Sequence, residues 1–422
     1  MAREVAPGAE TASAPAFRID ERLNNILLEP ETRPKLPPRG EPQKLPDPVY
    51  PQRPLNDTES DFGYNKINTV RGVKTWAVPF AKSLWHSEDL RPIIAYLFTE
   101  YKCNLDCHYC WSYDNRVRGM TEDTAKRSID WLHGIGNRVL ALMGGEPLLR
   151  PDFVHKITYY ASKKDFFVYL PTNGRLMKPE VIDKLGDAGL ATVNLAVDCV
   201  AERPGLPKAL DPIRPYFEYL VKQKQRYGYT VVFNINICRT NMEDVKQLTE
   251  IARDYGIYSD YHIVESPMLE QDEHFRHLDE NSTYIRPEDY PRVDEVLDWI
   301  IDKHEQGYII VNPKQQFVEM KDLMRGEVRP WECRAGQNTV IIREDGTLAP
   351  CFPMYSSNYD WGTVENEKFD RAQLDEMKKS CNRHCLSTCN YILSYCYNTK
   401  RVLKWLMKQA SRGFQGVSGS FD

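Results

Sequence analysis

The chain has 422 residues, which at about 150 residues per domain predicts two or three folded units. Apolar residues make up 41% of it, and 55 basic side chains against 60 acidic ones give a net charge of −5 without a long run of either sign. This balance argues against a dedicated nucleic-acid or membrane-surface protein, and the lack of an apolar run of about 18 residues argues against a membrane span.

Residues 1–65 differ in composition from the rest of the chain. Nine prolines fall between Pro30 and Pro54. Proline has no backbone N–H and moves the preceding residue out of the helical region, so the segment is predicted to be an extended or disordered arm. The charged start is not followed by the apolar stretch of a secretory signal, and the sequence therefore predicts a cytoplasmic protein.

Residues 66–285 are predicted to form an α/β core, because short apolar runs alternate with helical segments. The runs are IIAYLF (93–98), VLALM (139–143), FFVYL (166–170), TVNLAV (192–197), VVFNINI (231–237) and DYHIV (260–264). Thr121 and Asn241 stand where helix N-caps are expected, and Pro151 and Pro179 stand at first helical positions. Six strands alternating with helices predict a parallel sheet, either open or a partial barrel, with ligands at the carboxyl ends of the strands.

The rest of the chain is predicted to contain smaller units. Residues 286–330 have a helical pattern and are interpreted as a linker. The segment NTVIIREDGTLAPC predicts a β-hairpin that turns at Asp345-Gly346. Residues 331–400 hold a second group of cysteines, and residues 401–422 form a predicted basic helix and tail.

Eleven cysteines in a predicted cytoplasmic chain indicate metal binding rather than disulfides. Three of them have the spacing Cys103-x3-Cys107-x2-Cys110, which chance would give with a probability on the order of 0.01. A structural zinc site is one interpretation, but its fourth ligand would be His108, directly beside Cys107. A 4Fe–4S cubane held by three thiolates keeps one iron open for another ligand.

This triplet, with the aromatic Tyr109 before its last cysteine, resembles the signature of the radical S-adenosylmethionine (radical SAM) superfamily. The sequence Gly144-Gly145-Glu146 follows the second predicted strand and resembles the family's GGE motif. The resemblance implies a partial (β/α)6 TIM-like barrel, with S-adenosylmethionine and a 4Fe–4S cluster as cofactors. It implies that Glu146 receives the ammonium of the cosubstrate, as a carboxylate can, and that Tyr109 lies in the cofactor site.

Further positions match the family less closely. Asn173 lies in a Thr-Asn-Gly that ends the third strand. The fourth strand resembles the family pattern but departs from it twice, since Ala196 stands where serine is usual and Cys199 where glycine is usual. Asn194 and Asp198 share parity, so a strand would turn both toward the cleft. Asn236 on the fifth strand is predicted to lie near the ribose, although strand polarity or helix capping also explains these asparagines.

The second cysteine group resembles the SPASM/Twitch extensions of this family. Cys333 and Cys351 flank the predicted hairpin with the spacing of the opening element, whereas the later cysteines depart from the full SPASM pattern. The count favours one auxiliary 4Fe–4S cluster, held by Cys333, Cys351, Cys381 and Cys385. Cys389 and Cys396 are alternative ligands or ligands of an incomplete second cluster, and unligated thiols on one helix face are another interpretation.

The resemblance implies a radical SAM oxidoreductase that cleaves S-adenosylmethionine to a 5′-deoxyadenosyl radical and abstracts a hydrogen atom from a C–H bond. The substrate would be a small molecule or a peptide precursor, and the electron would come from a flavodoxin- or ferredoxin-type donor. Cys238, on the cleft face of its predicted strand, is a candidate hydrogen-atom donor. An electron-transfer protein and a zinc-stabilised scaffold are the alternatives.

Overall fold

The computed structural model describes residues 73–86, 88–110, 112–264, 283–355, 360–382, 385–395 and 397. The proline-rich arm, the predicted C-terminal helix and Cys396 lie outside the described residues. None of the helices in the described ranges combines the length and the apolar character that a membrane crossing requires.

The described strands form one eight-stranded sheet in the order β6-β5-β4-β3-β2-β1-β7-β8. All six strands predicted for the core are present and pair in parallel with their neighbours. The strands are β1 (Ile94–Glu100), β2 (Val139–Gly144), β3 (Phe167–Thr172), β4 (Thr192–Ala196), β5 (Thr230–Ile237), β6 (Tyr258–Ile263), β7 (Thr339–Ile342) and β8 (Leu348–Ala349). The sheet is not closed, which confirms an α/β fold of the partial-barrel type.

Helices alternate with β1 to β6, as the parallel topology requires. They are α1 (Val78–Trp85), α2 (Glu122–Gly134), α3 (Pro151–Lys163), α4 (Pro179–Asp187), α5 (Arg214–Tyr227), α6 (Met242–Asp254), α7 (Tyr290–Glu305), α8 (Lys314–Met324), α9 (Arg371–Cys381) and α10 (Thr388–Tyr395). Thr121 caps α2 by accepting a hydrogen bond from the Thr124 backbone N–H at 3.1 Å. Pro151 and Pro179 begin α3 and α4 as predicted.

Asn241 is the N-cap residue of α6, as its place in the sequence predicted, but its side chain forms no capping hydrogen bond. Its amide donates instead to the carbonyl of Asp198 at 2.7 Å and to that of Asn236 at 2.8 Å, and its Oδ1 accepts from the Cys238 N–H at 2.8 Å. Asn241 is fully buried, so these bonds satisfy backbone groups that water does not reach. The side chain therefore links the residues that follow β4 to the end of β5 and does not bind the first turn of α6.

The two faces of the sheet have different partners. Along β1, Ala95 and Leu97 belong to the large core cluster shared with the helices, which we call the outer face. Ile94, Tyr96 and Phe98 belong to a second cluster on the opposite side, which we call the inner face. The alternation follows from the two-residue period of a strand and places the inner face opposite the helix layer.

The predicted hairpin exists, since β7 and β8 are antiparallel. Its place in the fold was not predicted from the sequence, because β7 pairs in parallel with β1 from Ile94↔Thr339 to Leu97↔Ile342. The strand that leads into the first cysteine loop is thus flanked on both sides. The helical pattern of residues 286–330 is confirmed as α7 and α8, which pack against each other.

Candidate active site

The cysteine triplet lies in the loop that leaves the carboxyl end of β1. Cys103 is 7% exposed and Cys107 is 2% exposed, whereas Cys110 is half-buried. Backbone bonds shape the loop, because the Cys110 N–H donates to the Cys107 carbonyl at 3.0 Å and the Leu105 N–H donates to the Cys103 sulfur at 3.4 Å. The loop therefore holds its thiols at the edge where the parallel strands end.

Burial is the main influence on the pKa of the Cys103 and Cys107 thiols. It raises the pKa of Cys103 to about 12, with the Glu146 carboxylate adding to the effect, and it also raises the pKa of Cys107 well above its ordinary value. Lys208, in the loop between β4 and α5, acts in the opposite direction on both thiols. Without another partner the thiols are thus protonated at neutral pH, and a metal group bound there would have to displace their protons.

Lys208 was not identified from the sequence. Its ammonium lies 5.1 Å from the centre of the Tyr109 ring. Desolvation opposes the charge of Lys208, but Cys107 and Asp198 outweigh it and raise the pKa of Lys208. The side chain therefore places one positive charge beside the thiols. A neighbouring positive charge stabilises the thiolate form of cysteine, which is the form that binds metals. Its role could be recognised only from its position in the folded loop, because nothing in the sequence distinguishes this lysine from the others.

Gly144 and Gly145 press the end of β2 against the start of the cysteine loop. The Gly145 N–H donates to the Glu100 carbonyl at 2.8 Å. A Cβ on Gly144, whose φ is +147°, would lie 1.7 Å from the same carbonyl oxygen. A Cβ on Gly145 would lie 2.3 Å from the Lys102 carbonyl oxygen. Only glycine permits this approach of two backbones.

Glu146 joins the ends of β2 and β3. Its side chain is fully buried and its Oε1 accepts hydrogen bonds from the Leu148 N–H at 2.9 Å and from the Thr172 hydroxyl at 2.8 Å. Its Oε2 accepts one from the Asn173 N–H at 2.8 Å. Burial raises the pKa of Glu146, and these donors work against that rise. A carboxylate oxygen can accept two bonds, so Oε2 has capacity for a further donor.

Asn173 connects this carboxylate to the cysteine loop. Its side-chain amide donates to Asn104 Oδ1 at 2.8 Å, and Asn104 lies between the first two cysteines of the triplet. Asn173 is 4% exposed. The predicted residues Glu146 and Asn173 therefore lie together with the triplet at the same edge of the sheet.

Asp198 and Tyr109 lie at this edge too. The Tyr109 hydroxyl donates to Asp198 Oδ2 at 2.5 Å, and the Asn236 N–H donates to Asp198 Oδ1 at 2.9 Å. Burial raises the pKa of Asp198, and Lys208 opposes that rise. The structure thus brings Asp198, Tyr109 and Asn236 together, as the sequence suggested.

Asn194 lies deeper on the inner face than the other predicted residues. Its amide contacts the Tyr169 hydroxyl of β3, and its own residue is 1% exposed. Asp260 and His262 of β6 face the same interior, where His262 Nε2 lies 3.1 Å from Asn234 Nδ2 and 3.3 Å from Asp260 Oδ2. The two β6 residues were not identified from the sequence, although their alternation matches that of Asn234 and Asn236 on the paired strand.

Four cysteines of the second group belong to the large core cluster at the end of α9. Cys351 and Cys381 are buried, and Cys333 and Cys385 are half-buried in the same core. Burial raises the pKa of Cys381 to about 12, and Cys333 adds to this rise. Lys378 lies over the group and donates from Nζ to the Cys333 carbonyl at 2.7 Å.

Cys389 faces another part of the molecule. The α9 helix ends at Cys381 and α10 begins at Thr388, so Cys381, Cys385 and Cys389 do not stack along one continuous helix face. Cys389 packs against the inner-face cluster and is hydrogen-bonded to Tyr96. In the described part of the chain, no three His, Cys, Asp or Glu side chains converge closely enough to hold a single metal ion.

Three comparisons with known proteins bear on this geometry. Residues 99–278 match the sequence profile of the radical SAM superfamily. The AdoMet-dependent heme synthase of Methanosarcina barkeri is 26% identical over 281 residues, which are 61% of this chain and 76% of that protein. The Fe-coproporphyrin III synthase of the same organism is 27% identical over 190 residues, and the match spans 43% of this chain and less than half of that protein, 46%.

A solved structure shows the same fold. Streptococcus suis SuiB bound to its precursor peptide SuiA has a TM-score of 0.53 and 14% identity, and the alignment covers 72% of this chain and 69% of that one. The matched sequence range begins within β1 and contains the first cysteine loop, the two glycines and Glu146. Residues 99–278, which make up less than half of this chain, are therefore a region similar to the radical SAM superfamily, and the chain is an enzyme.

Proposed function

We propose that this enzyme reductively cleaves S-adenosylmethionine and uses the resulting 5′-deoxyadenosyl radical to take a hydrogen atom from a C–H bond of a small-molecule or peptide precursor. The best support is the arrangement of side chains at one edge of the sheet. The three thiols of the first loop lie there beside Lys208, Glu146 and Asn173. An electron carrier has no need of a carboxylate at this position. A cosubstrate with an ammonium group does.

The donor set fits a 4Fe–4S cluster at the first loop. Thiolate ligands are the usual ligands of such clusters, and a cationic side chain beside them offsets their charge. Cys103, Cys107 and Cys110 would hold it, and the cluster would supply one electron and an open coordination position. The three thiols differ in solvent exposure, since Cys103 and Cys107 are buried and Cys110 is half-buried.

The chain's own residues would then position the cosubstrate. Glu146 Oε2 accepts a single bond from the described residues and can accept the ammonium of the methionine part. Gly144 and Gly145 let the backbone approach closely, and Asn173 holds Glu146 against the cysteine loop. Tyr109, Asp198 and Asn236 lie on the opposite side of the edge, where the nucleoside would bind. Asn194 is one layer deeper and is better placed toward the substrate.

Cys333, Cys351, Cys381 and Cys385 would hold one auxiliary 4Fe–4S cluster. Burial raises the pKa of Cys351, and Cys381 and Cys333 add to that rise, so these three thiols lie near one another. Cys385 packs in the same core, and its carbonyl accepts a hydrogen bond from the Trp331 indole at 2.8 Å. Cys389, turned to the inner face, is a poor candidate for this cluster.

Two single substitutions test the ligand set. Cys385→Ala is expected to lower the iron content from about eight to about four per chain after anaerobic reconstitution, because it removes one corner of the auxiliary cluster. Cys389→Ala, four residues away, is the matched control and is expected to keep about eight. Iron loss in Cys389→Ala with full retention in Cys385→Ala would show that the assignment is reversed.

The substrate and the electron donor are proposed only as classes. The relatives named above are by name a heme synthase and an Fe-coproporphyrin III synthase, and SuiB was solved with a precursor peptide. A small molecule and a peptide are both compatible with these likenesses. A flavodoxin- or ferredoxin-type protein would deliver the electron.

Anaerobic reconstitution tests the proposed function. The protein is reconstituted with iron and sulfide, reduced with dithionite and mixed with S-adenosylmethionine, and 5′-deoxyadenosine is measured by chromatography. We expect this product with wild-type protein. Iron binding without the product would favour an electron carrier, and a colourless protein that binds zinc would favour a scaffold.

A further inference from the structure

A layer of polar side chains lies on the inner face, below the level of Asp198 and Asn236. On the paired strands β5 and β6, Asn236 stands opposite His262, and Asn234 stands opposite Asp260. Two residues of strand span about 6.6 Å, so Asp260 is that much deeper than His262. This layer is therefore separate from the groups that would contact the cosubstrate.

Two polar groups of this layer lack part of their hydrogen bonding. Asp260 is 9% exposed, and its Oδ1 has no hydrogen-bond partner among the described residues. Asn194 is 1% exposed, and its Oδ1 is likewise unpaired in that part of the chain. If the amide of Asn194 were turned over, Tyr169 would satisfy the oxygen and leave the nitrogen unpaired. Such buried groups cost about 1–3 kcal/mol each unless a partner arrives.

The charge of Asp260 is also poorly compensated. In the described ranges the carboxylate forms no ion pair with lysine or arginine, and its Oδ2 lies 3.3 Å from Nε2 of His262, which is charged only when protonated. A buried carboxylate is stable only when it is paired and hydrogen-bonded. The site therefore favours a ligand that brings positive charge and N–H donors.

The opposite wall of this layer comes from β1, β3 and α10. The Tyr169 hydroxyl contacts Asn194, and Tyr96 is hydrogen-bonded to Cys389. Burial raises the pKa of both tyrosines, and Asp260 and Cys389 add to the rise in each. Tyr96, Tyr169 and Cys389 pack in the inner-face cluster, and the effect of Asp260 on both tyrosines indicates that it faces the same interior.

We infer that this layer is the substrate-recognition site and that it binds a protonated amine of the substrate through Asp260, with Asn194 as a second polar contact. The inference rests on the proposed function for the identity of the bound molecule as substrate. A carboxylate or phosphate would be repelled by Asp260, and an alcohol would leave its charge uncompensated. An amine-bearing small molecule or an amino group of a peptide satisfies both residues.

Ligand-observed saturation-transfer NMR tests the inference on the anaerobically reconstituted full chain with S-adenosylmethionine and without reductant. The probes are propylammonium, 1-propanol and propionate, which differ in charge at similar size. We expect propylammonium to bind at least about ten-fold more tightly than either other probe. Equal affinities, or a preference for propionate, would overturn the inference.

Asp260→Asn and the exposed control Asp302→Asn locate the site. Asp260→Asn is expected to lose at least about ten-fold in propylammonium affinity and Asp302→Asn to lose none. Asp260→Asn is also expected to unfold at the same temperature as wild type or at a higher one, because it removes a buried charge. A lower unfolding temperature, or unchanged propylammonium binding, would assign Asp260 to the fold and refute the inference.

The same preparation separates this inference from the proposed function. Formation of 5′-deoxyadenosine from S-adenosylmethionine by the wild-type protein after addition of dithionite, with no amine probe added, reports the cleavage reaction alone. If that product fails to form while propylammonium still binds selectively, the proposed function is wrong and the amine site stands. If the product forms and no probe is preferred, the amine site is wrong and the proposed function stands.

Discussion

Replacing Cys107 with alanine is expected to lower 5′-deoxyadenosine formation by at least about 1,000-fold, which corresponds to about 4 kcal/mol of transition-state stabilisation. Cys107 is the middle thiol of the first loop and is 2% exposed, so no solvent ligand can replace it easily. Its loss leaves two thiols for a group that needs three. The product is measured by chromatography, and iron and the far-ultraviolet circular dichroism are measured on the same sample.

Cys199→Ala is the matched control for this prediction. Cys199 is also fully buried and lies in the neighbouring loop, where its thiol contacts the carbonyls of Leu206 at 3.2 Å and Lys208 at 3.6 Å. It is outside the triplet, so we expect this variant to retain iron at the first site and to cleave the cosubstrate. Full activity of Cys107→Ala, or equal losses in both variants, would refute the ligand assignment.

Replacing Gly144 with alanine is expected to destabilise the protein by at least about 3 kcal/mol. The new Cβ would lie 1.7 Å from the Glu100 carbonyl oxygen, and the residue has a φ of +147° that side chains rarely adopt. The end of β2 must then move away from the start of the cysteine loop. We expect the unfolding temperature to fall by at least roughly 3 °C and the iron of the first site to be bound less completely.

Gly134→Ala gives the opposite expectation and controls for the loss of a glycine. Gly134 is the last residue of α2, and a Cβ there would have no neighbour within 4 Å. Alanine in a helix is favoured over glycine by about 0.5–1 kcal/mol, so the unfolding temperature should stay or rise slightly. If Gly144→Ala were as stable as Gly134→Ala, the close approach of β2 to the cysteine loop would be wrong.

Much of the core could be predicted because local patterns and the fold agree there. The six apolar runs became β1 to β6 since parallel strands are buried on both faces and are therefore nearly continuous in apolar residues. The turn at Asp345-Gly346 did form a hairpin, because its chemistry is local. The residues Glu146, Asn173 and Asp198 were found because their motifs follow the strands that bring them together.

The remaining features depend on contacts between distant segments. Asn241 has a side chain suited to capping, yet buried carbonyls of two strand ends compete for it and bind it instead. The roles of Lys208 and Asp260 could not be predicted, because they depend on the side chains that surround these residues in the folded chain. The face on which Cys389 lies could not be predicted from the cysteine spacing. One helix ends at Cys381 and the next begins at Thr388, and Cys389 lies toward the inner face.

The pairing of β7 with β1 makes assembly of the sheet depend on the order of synthesis. Thr339 emerges from the ribosome about 245 residues after its partner Ile94, so this contact is among the slowest to form. Until then β1 has an exposed rim with unpaired amides, the kind of surface that promotes aggregation. The loop with the first cysteines therefore gains its final scaffold only once the distal hairpin has been translated, and amides of β1 should become protected from hydrogen exchange at that late stage.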